Sequence, residues 1–212
     1  LVGSEMFIRD RSWYLDRSRY QDSIIIVSKE KLRKKLINLR KANFTDQGIS
    51  FIKFNSILKK LNFNKNINIG GYYPINSEIG CLDILEKLEK NNFKISLPIT
   101  KKNHDMDFYE WSFQNTLRIS YQGIPEPNSK KKVFPDVLIV PLVGFDNNKF
   151  RLGYGGGFYD RYISKLSKFK KILTVGFAFP FQEVKNIPIN KYDKKLDFIL
   201  TNKGIIKWTF YF

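Results

Sequence analysis

The run Val137-Leu138-Ile139-Val140-Pro141-Leu142-Val143 offers no polar side chain on either side. Written as an extended strand it is apolar on both faces, so it needs a layer of structure above it and another below. A sheet with one wet face would alternate instead, and a membrane span would need about 20 apolar residues rather than this short run. A chain organised around such a strand is an α/β layered protein.

The flanking sequence fits that frame. Ser28 is placed to cap a helix from Lys29 to about Arg40, with Leu32, Leu36 and Leu39 on one face and Lys29 and Arg33 on another. Ile49–Leu61 reads as a second helix burying Phe51, Phe54, Leu58 and Leu61, and Leu82, Leu85 and Leu88 mark a third. Strands are predicted at Ile67–Tyr73, stopped by Pro74; at Lys94–Leu97, ended by Pro98; at Ile172–Phe177; and at Phe198–Thr201. Asp107–Phe113 alternates like an exposed edge strand, and Gly123–Pro127 reads as a loop. The expected fold is α/β and three-layered, Rossmann-like, with a mostly parallel twisted sheet, a mixed edge and helices on both faces. Residues 29–212 form its single domain, and residues 1–28, beginning without Met, read as an extension or a cloning remnant.

After the apolar strand comes Arg151-Leu152-Gly153-Tyr154-Gly155-Gly156-Gly157-Phe158-Tyr159-Asp160-Arg161, with a helix expected near Phe158–Leu166. Glycine permits positive φ and close approach of a ligand to the main chain. Bare N–H groups at a helix start make a phosphate site, and ligands of open parallel sheets bind beyond the carboxyl ends of strands. The segment is not a Walker A loop, since no Gly-Lys-Ser/Thr is present, and a Rossmann fingerprint would need glycine at Phe158. A plain turn remains the alternative on these residues alone.

Composition narrows the rest. Net charge is +17, which suits a polyanionic ligand or nucleic acid. The lysines are scattered rather than clustered, so compositional drift plus an anionic small-molecule substrate is the preferred reading; a basic, non-catalytic nucleotide- or RNA-binding module is the alternative. No RNA-binding signature run and no helix-turn-helix pattern accompany the charge. Cys81 is the single cysteine, excluding a disulfide framework and matching a reducing, cytoplasmic setting. His104 is the single histidine, read as a loop residue, and excludes a multi-histidine metal site.

The glycine segment, with Pro135–Asp146 as its lead-in, resembles the signature of the 5-formyltetrahydrofolate cyclo-ligase family, also called 5,10-methenyltetrahydrofolate synthetases. Lys29-Glu30-Lys31-Leu32-Arg33, Glu78-Ile79 after Tyr72-Tyr73-Pro74-Ile75, and Asp193-Lys194-Lys195-Leu196-Asp197 match further segments in the same order, so the similarity spans about residues 29–202. It implies an enzyme that phosphorylates the formyl oxygen of 5-formyltetrahydrofolate with ATP and closes the ring through N10. It also implies Mg²⁺ and a substrate that can carry a polyglutamyl tail, with no nucleic-acid or membrane partner; a monomer is expected.

By that resemblance Gly153, Tyr154, Gly155, Gly156, Gly157, Phe158 and Tyr159 line the ATP site, with Lys29, Arg33 and Arg151 reaching the phosphates and Tyr159 among the catalytic residues. Glu78, Tyr121, Tyr154, Phe158 and Tyr159 face the folate. Asp160 and Asp197 hold the metal, with Asp193 as rival to Asp197. Each has a plainer reading: a solvated helix face for Lys29 and Arg33, a helix-start acid for Asp160 and Glu78, a surface acid for Asp197, and packing for the aromatics. Some relatives carry basic residues where Tyr154 and Gly156 stand here, so positive charge at the phosphates must come from elsewhere. A folate-binding relative with altered chemistry is a further alternative.

Overall fold

The computed structural model describes residues 28–205. The expectation for residues 1–27 and for the tail beyond 205 lies outside the described residues. Helix α1 is helical over 28–42, so Ser28 is already inside the helix rather than at its cap. In chain order there follow α2 (Phe51–Lys60), β1 (Asn68–Gly70), α3 (Leu82–Lys90), β2 (Lys94–Thr100), β3 (Met106–Trp111), β4 (Leu117–Ile119), β5 (Pro125–Pro127), β6 (Lys132–Val133), β7 (Val137–Pro141), β8 (Gly144–Asp146), β9 (Arg151–Leu152), α4 (Phe158–Leu166), β10 (Leu173–Ala178), β11 (Glu183–Val184), β12 (Phe198–Thr201) and β13 (Gly204–Ile205). No helix among the described residues is long and apolar enough to cross a membrane.

The main sheet runs β13-β12-β10-β7-β1-β2-β3-β6. Its centre, from β12 to β2, is parallel, and its edges are antiparallel. Numbering only the parallel strands along the chain gives the order 2-1-3-4-5. The winding reverses between β1 and β7, and such a reversal opens a crevice at the strands' carboxyl ends.

The double burial expected of the apolar run is observed. Val137 and Ile139 face a core shared with Phe54, Leu58, Leu85 and Leu88 of α2 and α3. Leu138 and Val140 face the opposite core, with Tyr162, Ile163 and Leu166 of α4. Each fully buried aliphatic side chain of this kind contributes about 1.5–3 kcal/mol. A third cluster, Leu36, Val143, Leu152 and Ile187, seats α1 against the sheet's end.

Three local expectations are corrected. Pro98 does not end β2: the strand runs on to Thr100, with Pro98 opposite Phe108 of β3. Ser96 turns its carbonyl to the β1 side, where it accepts from the Gly71 N–H. Pro98 has the same parity, but β1 has already stopped at Gly70, so its missing N–H leaves no partner unmet. Second, Gly123–Pro127 is not wholly a loop, because Pro125–Pro127 pairs with β4. Third, β3 is not an exposed edge; β6 lies outside it, and Met106, Asp107 and Phe108 are buried.

Candidate active site

The glycine loop stands at the carboxyl end of β7, reached through the hairpin of β8 and β9. Gly155 (φ +107) and Gly157 (φ +66) hold backbone conformations that favour glycine. Gly157 is the residue that opens α4, so the loop delivers its amides to a helix start. The Arg33 Nε donates to the Gly153 carbonyl at 2.7 Å, and a Cβ on Gly155 would lie 3.4 Å from the Arg33 guanidinium carbon. Arg161 clamps the loop from behind, donating to the carbonyls of Gly156 (2.6 Å) and His104 (2.8 Å).

The loop forms one wall of a cavity of about 1140 Å³ at the β1/β7 crevice. Lys29 and Arg33 of α1, Arg151, Asp160 and Asp193 all face into it. Charges alternate there: Lys29 Nζ lies 2.5 Å from Asp193, and Arg151 Nη2 lies 3.0 Å from Asp160. The backbone N–H of Lys194 donates to the other Asp160 oxygen at 3.0 Å, fastening the helix start to the Asp193 loop. Partial burial pulls the Arg33 guanidinium below its ordinary value.

Glu78 closes the far side. It is 6 % exposed, and its carboxylate accepts from the Ile75 N–H at 2.9 Å. Burial pushes its pKa up to about 7, opposed by that hydrogen bond, by the charge of Arg40 and by the Tyr154 hydroxyl. Tyr154 bridges the two halves of the site: its hydroxyl accepts from Arg40 and acts on the Glu78 carboxylate, and burial lifts it to about 12. Tyr159 also faces the cavity, and its buried hydroxyl has no partner among the described residues. Two acids with hard oxygen donors beside a bare-amide cradle suit Mg²⁺, which takes one or two carboxylates and fills its octahedron with phosphates and water.

The sequence profile of the 5-formyltetrahydrofolate cyclo-ligase family matches residues 25–202. The chain belongs to that family. It is 32% identical over 184 residues to the 5-formyltetrahydrofolate cyclo-ligase of Mycoplasma genitalium, covering 84% of this chain and 99% of the relative. With the Haemophilus influenzae cyclo-ligase it shares 33% over 140 residues, covering 63% of this chain and 74% of that one. Among solved structures, Aquifex aeolicus 5,10-methenyltetrahydrofolate synthetase superposes with a TM-score of 0.65 at 30% identity, over 84% of this chain and 91% of that one. The Mycoplasma pneumoniae synthetase superposes at 0.59 and 26% identity, over 81% and 96% of the two chains.

Measured against what the cyclo-ligase resemblance implied, the structure brings together Lys29, Arg33, Glu78, Arg151, Gly153–Gly157, Phe158, Tyr159 and Asp160. It does not bring in Asp197. That carboxylate sits at the amino end of β12, where it accepts from the N–H and hydroxyl of Thr174, both at 2.7 Å. Of the two acids that the resemblance left as rivals, Asp193 faces the cavity with Asp160 and Asp197 does not. Tyr121 is not in the wall either: it is half exposed and donates to the Lys101 carbonyl, while its neighbours Ser120, Gln122 and Ile124 line the cavity. His104 lies in the β2–β3 turn, as expected.

Arg40 is the residue that the leucine reading of α1 missed. The inward stripe of the helix is Lys29, Leu36 and Arg40 with Arg33 half-buried, whereas Leu39 is exposed. Lys29, Arg33, Leu36 and Arg40 fall at helical spacing, so Arg40 shares a face with Lys29 and Arg33.

Proposed function

We propose that this cyclo-ligase family member converts 5-formyltetrahydrofolate to 5,10-methenyltetrahydrofolate with ATP and Mg²⁺, releasing ADP and phosphate. The observation that carries the reading is the meeting, in one cavity, of a bare-amide glycine cradle and the buried carboxylate Glu78. The first can hold a triphosphate; the second can serve the amine that closes the ring.

A formyl oxygen is a poor leaving group. In the proposed first step it attacks the γ-phosphorus of ATP and ADP departs, so the formyl carbon bears a phosphate. N10 then adds to that carbon, the carbon–oxygen bond breaks, inorganic phosphate leaves and N10 loses its proton. Phosphoryl transfer asks little covalent chemistry of side chains, so the protein's part is placement and charge. The amides of Gly153–Gly157, with Lys29, Arg33 and Arg151, would bind the phosphates. The Tyr159 hydroxyl would donate to a folate oxygen. Glu78, with a pKa of about 7, is matched to receive the N10 proton near neutral pH. Asp160 and Asp193 would hold Mg²⁺, which when bound supplies charge neutralisation on the phosphate oxygens.

The test is spectroscopic. Folded protein with ATP, Mg²⁺ and 5-formyltetrahydrofolate is expected to produce the methenyl absorbance band, with one ADP formed per ring closed. Absence of the band at saturating substrates would overturn the reading.

A further inference from the structure

Arg40 is 1 % exposed and lies below the cavity rather than in its wall. Its guanidinium reaches three separate loops. One nitrogen donates to the Leu142 carbonyl just past β7 at 3.2 Å. The other donates to the Asn76 carbonyl at 2.9 Å and to the Tyr154 hydroxyl in the glycine loop. The guanidinium carbon is 5.5 Å from the centre of the Tyr154 ring, and Nε has no partner among the described residues.

A buried arginine is costly unless its charge is used, and an apolar residue would fill the same space with less penalty. The three loops that it joins explain its presence. Asn76 and Ser77 hold left-handed backbone (φ +48 and +61) immediately before Glu78. Two successive non-glycine residues in that region are held only by surrounding contacts; here these are the Arg40 bond to Asn76 and the Glu78 bonds to Ile75. On the other side the Tyr154 hydroxyl sits between Arg40 and the Glu78 carboxylate.

We propose that Arg40 is a positioning residue for Glu78: from α1 it holds Tyr154 and the Asn76 turn in place and supplies the positive charge that faces the Glu78 carboxylate. The inference rests on Glu78 serving the folate, but the linkage is a property of the protein without ligand. The groups facing Glu78 are Arg40 on α1, Tyr154 in the glycine loop, Tyr72 and Cys81 beside it, and Tyr159 on α4. Arg40 is the one cation of that set. Removing it raises the proton affinity of Glu78, and removing the Tyr154 hydroxyl interrupts the same chain.

The experiment is a carboxyl NMR titration of Glu78 in the ligand-free full chain, run on wild type, Arg40→Met, Arg40→Lys and Tyr154→Phe. An opposite charge nearby is worth about one pH unit or more. The midpoint, about 7 in wild type, is expected to rise by about one unit in Arg40→Met, with partial return in Arg40→Lys. The double variant Arg40→Met/Tyr154→Phe should move less than the two single changes added together, since both act on one chain. The low-pH limb of kcat/KM for formylfolate should rise by the same amount as the midpoint. A Glu78 midpoint that stays put in folded Arg40→Met, or strictly additive variants, would overturn the proposal. If Arg40→Met does not fold, Arg40→Lys and Tyr154→Phe decide: no movement in either refutes it. A moved midpoint in a protein that closes no formylfolate ring would leave this linkage standing and sink the proposed reaction instead.

Discussion

Glu78→Gln should make the protein more stable and less active, and the gain should depend on pH in a defined way. The folded carboxyl has a pKa of about 7 against an ordinary 4.5. Below about 4.5 it is protonated in both the folded and unfolded chain, and its ionisation costs nothing. Between 4.5 and 7 the unfolded chain gives up the proton first, so stability falls as pH rises through that window; above 7 the full penalty is present. At about 1.4 kcal/mol for each tenfold change in proton affinity, the penalty amounts to about 3 kcal/mol. Glutamine cannot ionise and keeps an acceptor for the Ile75 N–H. Thermal unfolding of both proteins between pH 4.5 and pH 8 should show a Tm difference near zero at the acid end, growing to about 6–12 °C at pH 8. Ring closure should be lost throughout. A stability gain of equal size at every pH would refute the reasoning, because it would mean that the amide packs better rather than that the carboxylate is held against its solvation.

Three further outcomes are expected. Asp193→Asn should raise the Mg²⁺ requirement of turnover sharply, whereas Asp197→Ala should leave kcat intact and lower stability by about 1–3 kcal/mol through the lost bonds to Thr174; kinetics across a Mg²⁺ series and chemical denaturation separate the two. Gly155→Ala, at φ +107 and 3.4 Å from the Arg33 guanidinium, should raise the KM for ATP several-fold while leaving formylfolate binding alone, as measured by titration calorimetry. In the core, a Cβ on Gly176 would lie within 2.9 Å of Leu196, Ile199 and Leu142, so Gly176→Ala should cost about 1–3 kcal/mol by overpacking, read as a lower urea midpoint.

Much of the architecture was legible where one force dominates. Val137–Pro141 could only be a strand covered on both sides, α4 begins where the glycines stop, and β12 spans the predicted Phe198–Thr201. Elements that depend on neighbours were less so. Pro98 normally terminates a strand, and the sequence does not say that β1 halts opposite it. Pro125 and Pro127 read as loop because their pairing with β4 is a tertiary fact. Asp193 and Asp197 are four residues apart with the same chemistry; only the chain's path sends one into the cavity and the other to Thr174. Arg40 was hidden by the habit of seeking a helix's inner face among its leucines.

The early stop of β1 has a consequence for how this site can vary. β1 spans three residues while β2 spans seven and β3 six, so the β2–β3 hairpin overhangs the sheet, and Pro98, Thr100 and Met106 from that overhang line the cavity. The floor of the cavity is thus a ledge of buried parallel strands, while this wall leaves the sheet and is tied at its tip to the glycine loop through Arg161. Residues added or trimmed on either side of His104 would deepen or open the mouth without touching the ledge, as long as its carbonyl stays within reach of Arg161. Within this fold, the reach of the substrate can drift under selection while the chemistry beneath it stays in register.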